Sequence, residues 1–578
     1  MALIRILDWL QRVPLVMLLL VASGSLADER EHREFEATLD VPYHADVSAN
    51  ARHPQARTFT LVFDNPLTNR AKKVSWSLVV LNPRGRRVKE WHGVRILRNA
   101  PITIKLYWDG EVAAGTLRSG VYQVHILARA RNWQAAQTDS SESAEQTWDT
   151  TVGSPPKPRM PPFLPMSAPQ SLQARAKGAP ATFPYTVYLG NLHSQTNHSD
   201  GGGDLASCTG AQNPQTGRFG PAYAYAYARD RGLDILVASE HNHMYDGSDG
   251  TNMDADPAVA RALFDSGLKS ATEFSMAHPD FLAVYGLEWG VISGGGHLNI
   301  FNTPELLEWE ITADGKLIGD TATPKGDYAA LYTLMNQRGW VGQFNHPTVT
   351  GQFYVNGVSL GYTADGDQVM ALCEVLNSFA FSSNISESET RRSNYEGACN
   401  KALEAGYHLA FSSDQDNHCA NWGASYTNRT GVLIPSDTAL TTASFLDALR
   451  ARRVFATMDK SSQLVLTANG KMMGERFVNT GPLTLIAYFA SSAGKTVASI
   501  NVLEGVPGRN GAVTHLSNTA VTTITPMVGE HFYYVKATQN DGNILWSAPI
   551  WVTQKTVAGP SAPHRTSRSY SAQALPPN

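Results

Sequence analysis

The stretch at residues 233–247 reads LDILVASEHNHMYDG. Its first half, Leu233-Asp234-Ile235-Leu236-Val237, is a short apolar run of strand type. Its second half turns polar and gathers Glu240, His241 and His243. In β/α folds the loops after the strands converge, and active sites form there.

The same texture extends from about Phe183 to Asp459. Leu282–Tyr285 and Trp340–Phe344 are strand-like. Between the strands, Pro221–Arg231, Tyr328–Arg338 and Arg391–Ala405 have helical length and composition. This alternation predicts a β/α barrel or a layered α/β domain over residues 183–459.

On either side the signals are for strands alone. Over residues 28–153, runs such as Phe59–Phe63 and Val74–Leu78 are separated by turn residues such as Asn82-Pro83-Arg84-Gly85, which predicts a β-sandwich. The run from Val79 to Ala130 resembles immunoglobulin-like modules of the flagellar-hook-cap type, implying a packing or spacing role. Residues 154–182 begin with seven prolines between Ser154 and Gln170 and read as a semi-rigid linker. Residues 460–556 predict a second β-sandwich: Leu483, Leu485, Ala487 and Phe489 share one face, and Asn469-Gly470 and Asp541-Gly542 look like hairpin turns. Residues 557–578 lack apolar periodicity and are expected to be a disordered tail.

Composition narrows the class. The chain has 578 residues, 42% of them hydrophobic, and its 51 acidic and 47 basic side chains leave a net charge of −4. That balance supplies no general attraction for nucleic acid. Arg5 and Arg12 precede an apolar run, Val13–Ala22, followed by Ser25-Leu26-Ala27. This is the pattern of a signal peptide, residues 1–27, with export to the periplasm or beyond. The run is about half the ~20 residues of a membrane span, so no span is expected once the leader is removed. Export permits disulfides. Cys208, Cys373, Cys399 and Cys419 allow three connectivities, and a Cys208–Cys419 bridge would join the first and last polar clusters.

Five clusters carry the candidate chemistry: His193, Gln195, His198 and Asp200; Glu240, His241 and His243; Glu288 and His297; His346; and Asp414, Asp416 and His418. Imidazole and carboxylate together suit zinc, manganese or iron. Carboxylates can bridge such ions and offset their charge, and the ions lower the pKa of bound water to about 7.

The series L-H-x-x-T-x-x-S-D-G, E-H-N, G-L-E, H-L, N-H-P and S-S-D, from Leu192 to Asp414, resembles the PHP (polymerase and histidinol phosphatase) family of metal-dependent phosphoesterases. The resemblance spans about Tyr188 to Asp459, and the segment Arg452–Gly474 is similar to the exported branch grouped with carbaryl hydrolases. It implies a distorted seven-stranded β/α barrel holding two or three metals. Position by position it implies ligands at His193, Asp200, His241, Glu288, His297, His346 and Asp414. Two positions depart from the family pattern: Gln195 stands where a histidine is usual, and Asp416 stands two residues after Asp414 where the family has histidine. A neutral amide is a weaker ligand than imidazole, so one or two ions are expected, with Gln195 and Asp416 as possible ligands.

The expected activity is hydrolysis by metal-activated water, with phosphoester cleavage as the family default. His418 and His198 are the candidate general acids, and the substrate is a small-molecule or polymer ester. A carboxylic ester, amide or carbamate hydrolase would use the same ligands. A third reading is a non-catalytic exported binding protein with a degenerate barrel, supported by Gln195 and Asp416. Ser412 and Ser413 lie outside any G-x-S-x-G elbow, which argues against a serine hydrolase.

Overall fold

The computed structural model describes residues 35–45, 57–65, 71–108, 117–133, 142–166, 181–208, 210 and 212–556. The expected leader and tail lie outside them, as does residue range 167–180 of the proline-rich segment. Among the described residues no helix is long and apolar enough to cross a membrane.

At the N-terminal end, strands Glu36–Asp40, Arg57–Asp64 and Ile102–Trp108 form a three-stranded sheet. A four-stranded sheet faces it, with Lys72–Leu81 and Gly120–Asn132 at its centre. Alternate residues are buried along Arg57–Asp64 and Lys72–Leu81, as period two requires when one face meets a core. Phe63 on Trp76 and Trp108 on Tyr122 join the two sheets, with ring centres 6.4 and 5.7 Å apart.

The central region is built on strands β1 (Tyr185–Asn191), β2 (Ile235–His241), β3 (Leu282–Val291), β4 (Gly296–Ile300), β5 (Gly342–Phe344), β6 (Met370–Ser378), β7 (Arg392–Asn394), β8 (Ala410–Asp414), β9 (Arg429–Pro435) and β10 (Val454–Thr457). Their spatial order is β7-β6-β5-β4-β3-β2-β1-β9-β10, and β8 also pairs with β6. β1, β2 and β3 run parallel, as do β5, β6 and β8, while β4 is antiparallel to both β3 and β5. β2, β3 and β6 are buried along their whole length, which explains their near-continuous apolar runs.

The expected seven-stranded barrel does not form as a closed ladder. Among the described residues no ladder joins β8 to β1. β8 ends at Asp414, and the seam is closed by bonds around and beyond the strand ends. Asp416 N–H donates to His193 O (2.9 Å) and Gln195 N–H to Asn417 O (3.0 Å). Leu192 N–H donates to Asp414 Oδ1 (2.7 Å) and Gln415 N–H to Asn191 Oδ1 (2.9 Å). At the other side the sheet runs on: β10 pairs with β11 (Ile544–Ser547), so one 16-stranded sheet continues into the C-terminal region. That region is therefore fused to the central sheet. A four-stranded sheet with Ser462–Ala468 and Leu483–Ser491 at its centre completes it. Leu483, Leu485 and Ala487 point inward as the alternation predicts, but the buried face then slips to Ala490.

Helices α1 (Pro221–Asp230), α2 (Pro257–Ala277), α3 (Tyr328–Arg338), α4 (Ala364–Val369), α5 (Glu396–Ala405) and α6 (Thr442–Arg450) belong to the central region. The helix expected from Arg391 starts later, because Arg392–Asn394 instead pairs with β6. α2 was not legible in the sequence. Its buried stripe is Ala260, Phe264, Gly267 and Ala271, too small to give a strong periodic signal. Gly267 is required there, since a Cβ would lie 2.0 Å from the Tyr285 ring. α6 was also missed; it is short, with a Thr441–Ser444 capping box. Disulfides join Cys208 to Cys419 and Cys373 to Cys399.

Candidate metal centre

The parallel strands deliver their side chains at one end. His241 is the last residue of β2 and stands directly beside Glu288 of β3 in the ladder. His297 enters from the antiparallel β4, opposite Gly290. His193 follows β1 and His346 follows β5, the latter with φ of +27°. Positive φ is uncommon for a residue with a side chain and marks a locally held backbone.

Three buried groups bring their donor atoms within 4.8 Å of one another: His193, Glu288 and His346; His241, Glu288 and His297; and Asp200, His241 and His418. Glu288 is shared by two groups and His241 by two. Glu288 Oε1 lies 2.9 Å from His193 Nε2, 3.3 Å from His297 Nδ1 and 3.4 Å from His346 Nε2. Its Oε2 lies 3.6 Å from His241 Nε2. Asp200 Oδ1 lies 3.7 Å from His241 Nε2 and 3.4 Å from His418 Nε2. Burial alone would raise the pKa of Glu288, but His193, His297 and His241 hold it well below the ordinary carboxylate range.

The sequence-predicted residues divide in space. His193, Asp200, His241, Glu288, His297, His346 and His418 converge in these groups. Asp414 faces elsewhere: its Oδ1 accepts from Leu192 N–H and from Thr430 Oγ1 (3.1 Å), and its Oδ2 from Gln343 Nε2 (3.2 Å). Burial and the nearby Glu374 push its pKa up to about 7. Asp416 lies closer to the histidines, with Oδ1 3.1 Å from His193 Nε2 and 3.8 Å from His418 Nδ1. A φ of +50° at Asp416 accompanies that placement. Gln195 sits in the cluster as a donor. Its amide nitrogen gives hydrogen bonds to Glu288 Oε2 (2.5 Å) and Ser239 O (3.2 Å).

The two candidate acids also differ. His418 Nδ1 donates to Asp416 O at 3.0 Å and its Nε2 faces Asp200 Oδ1 at 3.4 Å; burial opposes the charge, but Asp200 and Asp416 push its pKa up to about 9. With Nδ1 held by the Asp416 carbonyl, Nε2 is the nitrogen that a metal ion would take in exchange for its proton. His198 lies outside all three groups. Its Nδ1 bonds Tyr285 Oη at 2.7 Å, Tyr285 in turn packs on Phe264 of α2, and burial pushes the His198 pKa down to about 4. It therefore stands on the helix-facing side of β3 as a neutral imidazole.

Two supporting residues, Asn345 and Glu374, escaped the sequence reading, and a third, Glu240, has a different role from the one expected. Asn345 Nδ2 contacts Glu288 Oε1 (2.7 Å), Asn299 Oδ1 (2.8 Å) and His193 Nε2 (3.2 Å). Glu240, expected as a candidate ligand of the second cluster, lies outside the three groups; it accepts from Thr196 and Ser199 and so ties down the loop that carries Asp200. Glu374 lies in β6 against His193 and His346. Its signal was a single carboxylate inside the apolar run Met370–Leu376, an anomaly in a buried strand. The triple glycine before Asp204 is structural: a Cβ on Gly202 would lie 2.0 Å from Phe219 O. Trp289 is core, fully buried, with its indole N–H on Thr323 Oγ1 at 2.9 Å.

No family model matches the chain, and no curated protein matches it. Among solved structures, a two-domain protein from Bacteroides vulgatus containing a predicted PHP-like metal-dependent phosphoesterase is 14% identical. The match covers 66% of this chain and all of that one, with a TM-score of 0.32. A β-glucuronidase from Parabacteroides merdae is 10% identical over 91% of this chain and 65% of that one, with a TM-score of 0.17. Likeness at these scores carries neither fold nor activity. The donor set itself does carry chemistry. Interleaved imidazole and carboxylate groups, buried and within 4.8 Å, fit divalent ions of the zinc, manganese or iron kind.

Proposed function

We propose that this chain is an exported metal-dependent hydrolase of the PHP type, cleaving a phosphoester. The observation that carries the reading is the sharing of Glu288 and His241 among three buried donor groups. Glu288 and His241 each serve two adjacent positions, as a site for neighbouring ions needs. His193 and His346 would hold one ion with Glu288, His297 and His241 a second, and Asp200 and His418 a third with His241. Divalent ions bound there would supply Lewis acidity and lower the pKa of water towards 7.

The chain's own residues orient and insulate this centre. Asn345 and Gln195 donate to Glu288 and fix its two oxygens toward different histidines. Asp416 approaches His193 and adds a second carboxylate on that side. Two disulfides, one beside His418 and one beside Glu374 in sequence, fasten the surrounding backbone and accord with export. The three donor groups would accommodate more than the one or two ions expected from the sequence, with His418 supplying the imidazole that position 416 lacks.

Purified protein would be analysed for zinc, manganese and iron, then assayed on phosphomonoesters, phosphodiesters, aryl esters and aryl carbamates with each metal. Metal-dependent turnover of a phosphoester is expected. Turnover confined to esters or carbamates would replace the phosphoester reading. Folded protein with neither metal nor turnover would refute the enzyme and support a binding role.

A further inference from the structure

We propose that Glu374 is the positioning residue for one of the three donor groups, holding both of its histidines at once. The inference rests on the metal reading above and deepens it.

Glu374 lies in the middle of β6 and is fully buried. Among the described residues its charged partner is His193, and no lysine or arginine pairs with it. A buried carboxylate without a fixed cation is costly unless its lone pairs are satisfied. Here each oxygen has a separate use. Oε1 lies 3.3 Å from His193 Nδ1, and Oε2 accepts the backbone N–H of His346 at 2.6 Å. These are the two imidazole members of the His193–Glu288–His346 group.

The consequences follow from what each atom can do. An ionised carboxylate only accepts, so His193 carries a proton on Nδ1. In neutral imidazole, Nε2 is then left with its lone pair, aimed at Glu288 Oε1 (2.9 Å) and Asp416 Oδ1 (3.1 Å). These two carboxylates suit a cation at Nε2: a proton in metal-free protein, or a divalent ion in its place while Nδ1 stays held by Glu374. A carboxylate behind a ligating histidine fixes its tautomer and ring plane and raises its basicity. At His346 the hold is on the backbone. That residue has φ of +27°, a conformation that persists only where neighbours enforce it, and the bond from Glu374 is such a restraint. Cys373, next to Glu374, is bridged to Cys399 of α5, which anchors the strand at this point.

The test uses the full chain and its Glu374→Gln and Glu374→Ala variants. Zinc is titrated against a chromophoric chelator, and the ring nitrogens of the histidines are followed by 15N NMR in chelator-treated protein. Glu374→Ala is expected to weaken one ion by about 10- to 100-fold and leave the others unchanged. It is also expected to shift the His193 Nδ1 proton signal. Glu374→Gln keeps an acceptor oxygen and should lose less. Wild-type affinity for every ion in folded Glu374→Ala would overturn the proposal. So would equal weakening of all ions, which marks a general structural role. Should Glu374→Ala not fold, the same criteria apply to Glu374→Gln. If the wild-type chain binds no zinc, manganese or iron, the metal reading fails. The NMR comparison in metal-free protein then decides separately whether Glu374 holds His193.

Discussion

Glu288→Gln keeps the shape of the side chain and removes its charge. Glu288 is the carboxylate of two donor groups, is 1% exposed, and faces four imidazoles at 2.9 to 3.6 Å. In metal-free protein, removing one partner of a buried charge pair costs about 3–5 kcal/mol. In a unit of this size that lowers the unfolding midpoint by roughly 10 °C. For metal binding, loss of a partner behind a ligand already costs about 10- to 100-fold, so loss of a direct and shared ligand should exceed 100-fold at two positions. Zinc titration against a chelator, with elemental analysis of the dialysed protein, reads the number and affinity of ions. Calorimetry with and without chelator reads the stability. Asp200→Asn is the control, since Asp200 belongs to one group. Glu288→Gln should lose two ions where Asp200→Asn loses one. The shared-carboxylate reasoning is refuted if Glu288→Gln is folded and retains the wild-type number and affinity of ions, or if both variants lose the same single ion.

Three further outcomes are expected. The Cys208–Cys419 bridge closes 211 residues and Cys373–Cys399 closes 26. Chain entropy sets their contributions at no more than about 5 and 3.5 kcal/mol, so Cys208→Ala/Cys419→Ala should lower the unfolding midpoint more than Cys373→Ala/Cys399→Ala; the reverse order would contradict the entropic account. Burial pushes the pKa of Asp234 up from 3.8 to about 6. Folded protein then binds more protons than unfolded between those values, so stability falls as pH rises through that window, by at most about 3 kcal/mol, and stays lower above it. Asp234→Asn should remove that slope and raise stability at pH 8, provided its side-chain oxygen keeps the bond from Leu189 N–H; an unchanged denaturation profile from pH 4 to 8 would count against it. His198→Gln should leave metal content unchanged, because His198 contacts Tyr285 outside the three groups; loss of a tightly held ion on elemental analysis would place His198 back at the centre.

Much of the site is local in origin and can be read along the chain. His241 ends the apolar run of β2, Glu288 lies in that of β3, and His346 follows that of β5, so strand pattern and residue type together mark them. Asp416 is different. The D-x-D spelling leaves two carboxylates, and a backbone turn with φ of +50° after β8 sends one towards His193 while the other is bonded into the β1–β8 seam. Glu374 reads as an odd charge in an apolar strand, and its purpose appears only when β1 and β5 bring His193 and His346 to it.

Period-two and period-3.6 patterns are short-range, because each side chain's face follows from its own few neighbours. They sufficed for strand-rich flanks, an α/β centre and histidines paired with carboxylates after strands. Closure of a sheet, sharing of a strand ladder with a neighbouring region and convergence of donor atoms depend on long-range pairing that local spacing does not encode. Only the folded chain could show that the central sheet stays open between β8 and β1, that it continues through β10 and β11 into the C-terminal region, and that seven dispersed residues meet as three overlapping groups.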